Sequence, residues 1–299
     1  MKIILSRKGF DSGNAGMPSP ILPDGKPLSL PIPRHRGQGY SYDELYSRGE
    51  RLSDIIGDLS GGTKVFLPIA HVDPDLDEDR LPRKLGWRPI FGQTGGDQTH
   101  LENQGVGVGD LFLFFGWFRC TEIRPSGRLG YINHRDGFHA IYGWLQVGEV
   151  HRVNKFTVQS LAEWTKDHPH IAIPESFNSN NTVYISSDEL CIGDVNLGFP
   201  GGGAFQHLTT ELRLSAAEKR RSHWALPLWF YPNDIKHALS YHRRLNSWSI
   251  KDGKAMLKSV ARGQEFVLDT RFYPEAIPWV ISLFREEAKN YHSCLCQDH

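Results

Sequence analysis

The sequence predicts an α+β fold, a mainly antiparallel sheet carrying peripheral helices and long functional loops. Three observations point there. The 299 residues include 30 glycines and 18 prolines, and aromatic residues reach 11%, a mixture that favours short strands and tight turns. Strand-like runs recur along the whole chain. Helical periodicity is confined to two stretches, 42–59 and 273–291.

In chain order, KIIL opens with a strand. A Gly/Pro/Ser-rich passage over 9–33 follows, and its repeated prolines forbid a long helix. Over 42–59, Leu45, Leu52, Ile55 and Ile56 are spaced for one helix face. VFLPIAHVD (65–73) reads as a buried strand ending in an acidic turn, and the strongest β segments are 110–123 and 139–153. Further strands are expected at 181–186, 205–214 and 263–269. The closing helix, 273–291, has Pro274 at its start and Ile277, Ile281 and Phe284 on its apolar face. With no repeat, heptad or low-complexity linker, the reading is one domain over 1–299. Its sheet core lies at about 105–215, and 292–299 form a flexible tail.

Composition also excludes. Basic and acidic residues balance at 34 each, which argues against coating nucleic acid by bulk charge and leaves room for a local basic groove. No apolar run approaches the roughly 18–20 residues that cross a bilayer. The opening MKIILSRKGFDSGN lacks a signal-peptide core and cleavage site. Cys120, Cys191, Cys294 and Cys296 are too few and scattered for a disulfide framework, so reduced thiols and a cytoplasmic protein are expected.

Four segments carry candidate chemistry. Ser6-Arg7-Lys8-Gly9-Phe10-Asp11-Ser12 follows the first strand, where Arg7 and Lys8 suit an anion and Asp11 can serve as acid or base. It reads equally well as a solvated loop. In His71-Val72-Asp73-Pro74-Asp75, an imidazole and a carboxylate two apart on extended chain point the same way. With His100, His71 and Asp73 would form a facial ligand set for a divalent metal such as Fe, Mn or Zn. The competing reading is an acidic turn paired with Arg80, Arg83 and Lys84.

The stretch 86–105 reads as one long polar loop. Gln93, Gln98, Asn103 and Gln104 can read base edges there, with Trp87 or Phe91 stacking on a base. The same amides can instead satisfy loop backbone. Finally, Arg262-Gly263-Gln264-Glu265 can place a guanidinium on phosphate, an amide on substrate and a carboxylate for proton transfer or ligation. A structural Arg262–Glu265 pair competes with that.

Two resemblances follow. Val108–Trp117 and Ile141–Val150, a Gly-Asp turn feeding one strand and a second strand ending in G-E-V, look like the core of PUA, ASCH and EVE barrels. That likeness implies a PUA-like β-barrel core as the alternative architecture. The broader resemblance is to the nucleotide modification associated domain 3 family of bacteria and phages. It rests on S-R-K-G-F-D-S (6–12), P-S-P-I (18–21), D-G (24–25) with S-L-P-I-P (29–33), and H-V-D-P-D (71–75). G-W-x-P-x-F-G-Q (86–93), H-L-x-N-Q-G-V (100–106), G-D-L-F-L-F-F-G-W-F-R (109–119) and R-G-Q-E-F-V-L-D (262–269) extend it. The resemblance implies a nucleotide or DNA partner and protein partners from a base-modification system, and it assigns no residue roles; the missing apolar run leaves no membrane partner expected.

The resulting expectation is an enzyme of nucleotide or DNA-base modification. Asp11, His71, Asp73, His100 and Glu265 would act in catalysis, and His71, Asp73 and His100 would ligate metal. Arg7, Lys8, Trp87, Phe91, Gln93, Gln98, Asn103, Gln104, Arg262 and Gln264 would bind substrate. The alternative is a non-catalytic reader holding a modified base in an aromatic pocket.

Overall fold

The computed structural model describes residues 1–34, 39–62, 69–132, 137–217, 219–260 and 263–295. The strands that position the site are β1 (Lys2–Arg7), β2 (Ser19–Ile21), β3 (Ile32–Arg34), β4 (Ile69–His71), β5 (Ile90–Gln93), β6 (Leu111–Ile123), β7 (Leu129–Tyr131), β8 (Phe138–Arg152), β9 (Thr182–Ser186), β10 (Gly202–Ala204) and β11 (Glu265–Asp269). The helices are α1 (Leu52–Leu59), α2 (Gly95–Asn103), α3 (Pro169–Ala172) and α4 (Ala276–Leu295).

The main sheet runs β11-β1-β6-β8-β9-β5, with β2 and β7 on β6 and β10 on β8. Along that path only β1 and β6 are parallel, in the register Ile3↔Leu111 to Arg7↔Phe115. The sheet is therefore mainly antiparallel, as expected. Its path stays open from β11 to β5, and among the described residues no closed barrel forms, so the barrel alternative does not hold.

The run Leu111–Phe115 is fully buried because both faces of β6 are covered. On one face Ile3, Leu5, Leu113, Phe115 and Phe266 pack with Trp224 and Leu257 of a three-stranded sheet and with Val280 and Phe284 of α4. On the other, Ile4, Phe112 and Phe114 pack with Phe91, Leu101 and Tyr184. Alternation along β1 thus divides two cores, and Arg7, Lys8, His71 and Gln93 come together where β1, β4 and β5 end.

Several boundaries differ from expectation for local reasons. The 42–59 helix is α-helical only over Leu52–Leu59. Arg48 and Gly49 both adopt positive φ, 51° and 80°, and turn Tyr46–Ser47 back onto Glu50–Arg51 as a hairpin. The expected strand at 65–73 is seen at Ile69–His71, and its first part lies outside the described residues. The expected strand at 205–214 is irregular. Gln206 donates its N–H to Glu287 Oε1 (2.8 Å) on α4, which pulls the chain off the sheet after β10.

The polar loop expected at 86–105 is β5 followed by α2. In α2 only Gln98 and Leu101 are buried, so the helix has no apolar stripe for a periodicity reading to find. α4 continues through Leu295, and residues 296–299 of the expected tail lie outside the described residues. No helix among the described residues is long and apolar enough to cross a membrane.

Candidate active site

A cleft of about 350 Å³ opens where these strand ends meet. It is lined by Arg7, Lys8 and Asp11 after β1, His71 and Asp73 from β4 onward, Gln93 and Thr94 after β5, His170 from α3, and Gln264 before β11. Backbone pairing explains the convergence. β4 pairs with β3 through Ile32↔His71, and Asp75 exchanges both backbone hydrogen bonds with Ile90 at the start of β5. The His71–Asp75 segment is thereby laid along β5, and the Gly92 N–H donates to Asp73 Oδ1 at 2.7 Å.

Three side chains form a potential metal-ligand group: His71, Asp73 and His170. His71 Nε2 and His170 Nε2 lie 3.8 Å and 3.7 Å from Asp73 Oδ2. For metal–ligand bonds of 2.0–2.2 Å, neighbouring ligand atoms sit roughly 3–3.5 Å apart, so closing on an ion asks for a small inward shift. The second carboxylate oxygen, Oδ1, is occupied by Gly92 N–H and faces His168 Nε2 at 3.3 Å. Oδ2 is left to look at the two imidazoles.

The surroundings fix which lone pairs face inward. Asn181 Nδ2 donates to His170 O (2.8 Å), which turns Asn181 Oδ1 toward His170 Nδ1 at 2.6 Å. That ring nitrogen must therefore carry the hydrogen, and Nε2 presents its lone pair to Asp73. Phe177 stacks on the same ring at 4.2 Å and holds its plane. Two residues earlier, His168 caps α3. Its Nδ1 accepts the His170 N–H at 3.3 Å, Pro169 takes the first helical position, and Nε2, left to carry the hydrogen, lies 3.3 Å from Asp73 Oδ1 without the alignment of a hydrogen bond.

Charge states match this geometry. Burial pushes His71 down to about 3 and His170 to about 4, against the partial pull of Asp73, so both imidazoles are neutral at ordinary pH. Burial alone would raise the Asp73 carboxyl. His168, 3.3 Å from Oδ1, and the neighbouring imidazoles more than offset it, leaving Asp73 well below the usual carboxylate range. Two neutral imidazoles and one carboxylate are the donor set of a 2-His-1-carboxylate centre, which suits Fe(II), Mn(II) or Zn(II). His71 Nδ1 is buried with no partner among the described residues.

Beside this group lies a buried ion pair. Lys8 Nζ donates to Glu265 Oε1 (2.9 Å) and Gln264 Oε1 (3.0 Å), and Gln93 Nε2 donates to the same Glu265 oxygen at 2.6 Å. Glu265 is fully buried. Removing Lys8 leaves that carboxylate with one amide donor, so Lys8→Met is expected to destabilise by about 3–5 kcal/mol. A Lys8→Met/Glu265→Met double variant should recover most of the loss. Urea unfolding of both proteins checks this.

The expected site residues divide as follows. Arg7, Lys8, Asp11, His71, Asp73, Gln93 and Gln264 line one cleft, and Glu265 anchors Lys8 and Gln93 from beneath. Arg7 donates to Val260 O at 2.8 Å, and Asp11 Oδ1 accepts from the N–H groups of Gly13 and Asn14. Gln93 is committed at both ends, since its Oε1 accepts the Thr94 N–H. These bonds fix it in the cleft wall.

His100 is not in the cluster. It lies on α2 with Nε2 3.0 Å from Ser240 Oγ and its ring against Tyr241, and His170 stands with His71 and Asp73 instead. Phe91 is fully buried against Phe112, Phe114 and Tyr184, and Trp87 carries the Arg83 guanidinium on its face at 4.0 Å. Neither offers an open ring to the cleft. Gln98 is buried between Tyr184 OH and Glu102, while Asn103 and Gln104 end α2 away from the cleft. Arg262 lies outside the described residues.

The residues the sequence reading missed are His168, His170 and Asn181. The available signal is His168-Pro169-His170, which repeats the i, i+2 spacing of His71 and Asp73. Gly92 is a second signal. A Cβ there would sit 2.4 Å from His170 Cγ and Cδ2. Gly92→Ala is expected to displace the imidazole and weaken metal binding at least tenfold, at a cost of about 1–3 kcal/mol. Calorimetric metal titration and thermal melts read the two effects.

A family model, nucleotide modification associated domain 3, matches residues 2–269. The chain belongs to that family. The match takes in every strand of the main sheet and every residue of the cleft, and the family's description places the chain in the setting of nucleotide modification. Neither a curated protein nor a solved structure matches it.

Proposed function

We propose that this protein is a metal-dependent enzyme that modifies a nucleotide or a DNA base in the cleft beside His71, Asp73 and His170. The observation that carries the reading is the three-residue ligand group, its lone pairs oriented by neighbouring hydrogen bonds, in the wall of a cleft that also holds Arg7 and Lys8. Side chains set this way by their neighbours are the mark of a functional centre more than of a core. A divalent cation there supplies Lewis-acid or redox chemistry.

The chain's own groups divide the remaining work. Arg7, at the end of β1, brings positive charge to the cleft for a phosphate. Gln264 has its oxygen engaged by Lys8 and keeps its amide N–H groups for an acceptor on the substrate. Asp97, a further carboxylate of the lining beside Asp11 and Asp73, would take or return a proton.

The test begins with protein purified without chelator. Near-stoichiometric iron, manganese or zinc is expected, together with altered nucleosides when nucleotide or DNA is incubated with metal-loaded protein and analysed by mass spectrometry. Protein that takes up none of these ions at millimolar concentration, with an unchanged melting temperature, would overturn the reading.

A further inference from the structure

We infer that Tyr241 is a base-contacting residue at the rim of the cleft, its ring held there by a backbone conformation that tyrosine rarely adopts; this rests on the cleft being the nucleotide site. The residue sits in a tight turn. The His242 N–H donates to Leu239 O at 2.9 Å, which makes Ser240 and Tyr241 the two central positions. Tyr241 has φ 66°, and Ser240 does not have positive φ. That is the pattern of a type II turn, whose second central position calls for glycine or asparagine.

Among the described residues, the non-glycine positions with positive φ are Arg48, Tyr241 and Asp252. Aspartate tolerates this region, and Arg48 closes the Tyr46–Arg51 hairpin. Tyr241 is the aromatic of the three. A bulky side chain in the left-handed region costs stability, and such residues cluster at binding sites, where the surrounding structure holds them in place.

The ring stands beside the cleft. Gly263 belongs to the cleft lining, and a Cβ built on it would meet Tyr241 Cε2, Cδ2 and Cζ at 3.2 to 3.3 Å. Only a glycine there lets the ring lie so close. The His100 ring packs against Tyr241 at 4.5 Å, and Phe266 meets it T-shaped at 6.1 Å. Burial, and then the charges of Asp97 and Glu265, raise the Tyr241 hydroxyl above its ordinary range, and Asp97 lines the cleft as well.

Packed in this way, Tyr241 is still 45% exposed. A core tyrosine would be covered, and a turn with no other duty is met at lower cost by glycine or asparagine. His100 thereby gains a duty outside the metal group: Nε2 lies 3.0 Å from Oγ of Ser240, the residue before Tyr241, and its ring supports the tyrosine. The chemistry suits a nucleotide with its phosphate toward Arg7 and its base against Tyr241. Packing a base on an aromatic ring is tolerant of base identity, so no single base is implied.

The test is calorimetric titration of the full chain with the four deoxynucleoside 5′-monophosphates and a short mixed-sequence DNA strand, alongside thermal melts. Wild-type protein should bind at least one probe. Tyr241→Asn should weaken that binding about tenfold or more. Its melting temperature should stay within about 2 °C of wild type or rise, because asparagine suits the turn. Tyr241→Phe keeps the ring and should bind within about threefold of wild type. Unchanged binding by Tyr241→Asn, a larger fall in its melting temperature, or a tenfold loss in Tyr241→Phe would overturn the inference and leave the cleft reading standing. Wild-type protein that binds no probe would overturn both.

Discussion

Asp73→Asn is expected to lower metal affinity at least 100-fold and to abolish any metal-dependent turnover. The carboxylate is the one anion in the ligand group, and its two oxygens are used differently. Oδ1 accepts from the Gly92 N–H at 2.7 Å, while Oδ2 faces both imidazoles. An asparagine that kept the Gly92 bond would turn its NH₂ toward His71 and His170, placing a donor where an ion needs a lone pair. Rotating the amide would rescue the lone pair and set the NH₂ against the Gly92 N–H and the hydrogen of His168. Either way the site loses its charge while the side chain keeps its volume. His168→Ala acts one bond further out and should cost about 10–100-fold. Metal content by mass spectrometry and calorimetric titration of the apoprotein measure both, and wild-type uptake by Asp73→Asn would refute the assigned ligand.

Legibility from sequence followed how locally each feature is encoded. β6 and β8 are long, apolar and bounded by turn residues, so runs of residue type sufficed to find them. α2 is a helix because Asn180 holds the Gly95 backbone at its first turn and Leu101 packs beneath it. Those are tertiary causes with no periodic trace. The His71-Asp73 half of the ligand group was readable because both residues sit on one extended segment. Its other half comes from α3, about a hundred residues later, and His100 offered an equally plausible imidazole in sequence. Only the pairing of β5 with β9, which sets Thr182 opposite Gln93 and brings Asn181 and α3 to the cleft, decides for His170. The amides of 93–104 looked alike as residue types. Their fates diverged with burial: Gln93 and Gln98 became fixed donors inside, and Asn103 ended at the surface.

Acid should unfold this protein well above the range in which its carboxylates titrate. Two buried histidines remote from the ligand group are locked neutral by their hydrogen bonds. Trp224 Nε1–H donates to His139 Nδ1 at 3.0 Å, so a proton there would face another hydrogen. His242 Nδ1 donates to Ser240 O at 3.0 Å, and its Nε2 accepts the Val260 N–H at 3.2 Å, which leaves no room for a second proton. Burial lowers His139 to about 3 and His242 to about 4. In the unfolded chain both titrate near 6.5, so the unfolded state binds protons first. Their contribution to stability is complete above about pH 6.5 and is lost as pH falls toward the folded values, at up to about 1.4 kcal/mol per unit for each. By pH 5 the two together cost about 4 kcal/mol, a large share of the roughly 5–15 kcal/mol that holds a typical domain. Asp73 acts in the same direction at lower pH: its folded value is depressed below an already acidic reference, so its share is lost only below about pH 4. Melts at pH 7, 6 and 5 should therefore show the transition falling steeply across that interval. A His139→Gln protein, whose amide oxygen can accept the Trp224 N–H without titrating, should show a shallower fall. A melting temperature that holds level from pH 7 to pH 5 would mean that water or a rearranged partner reaches these rings.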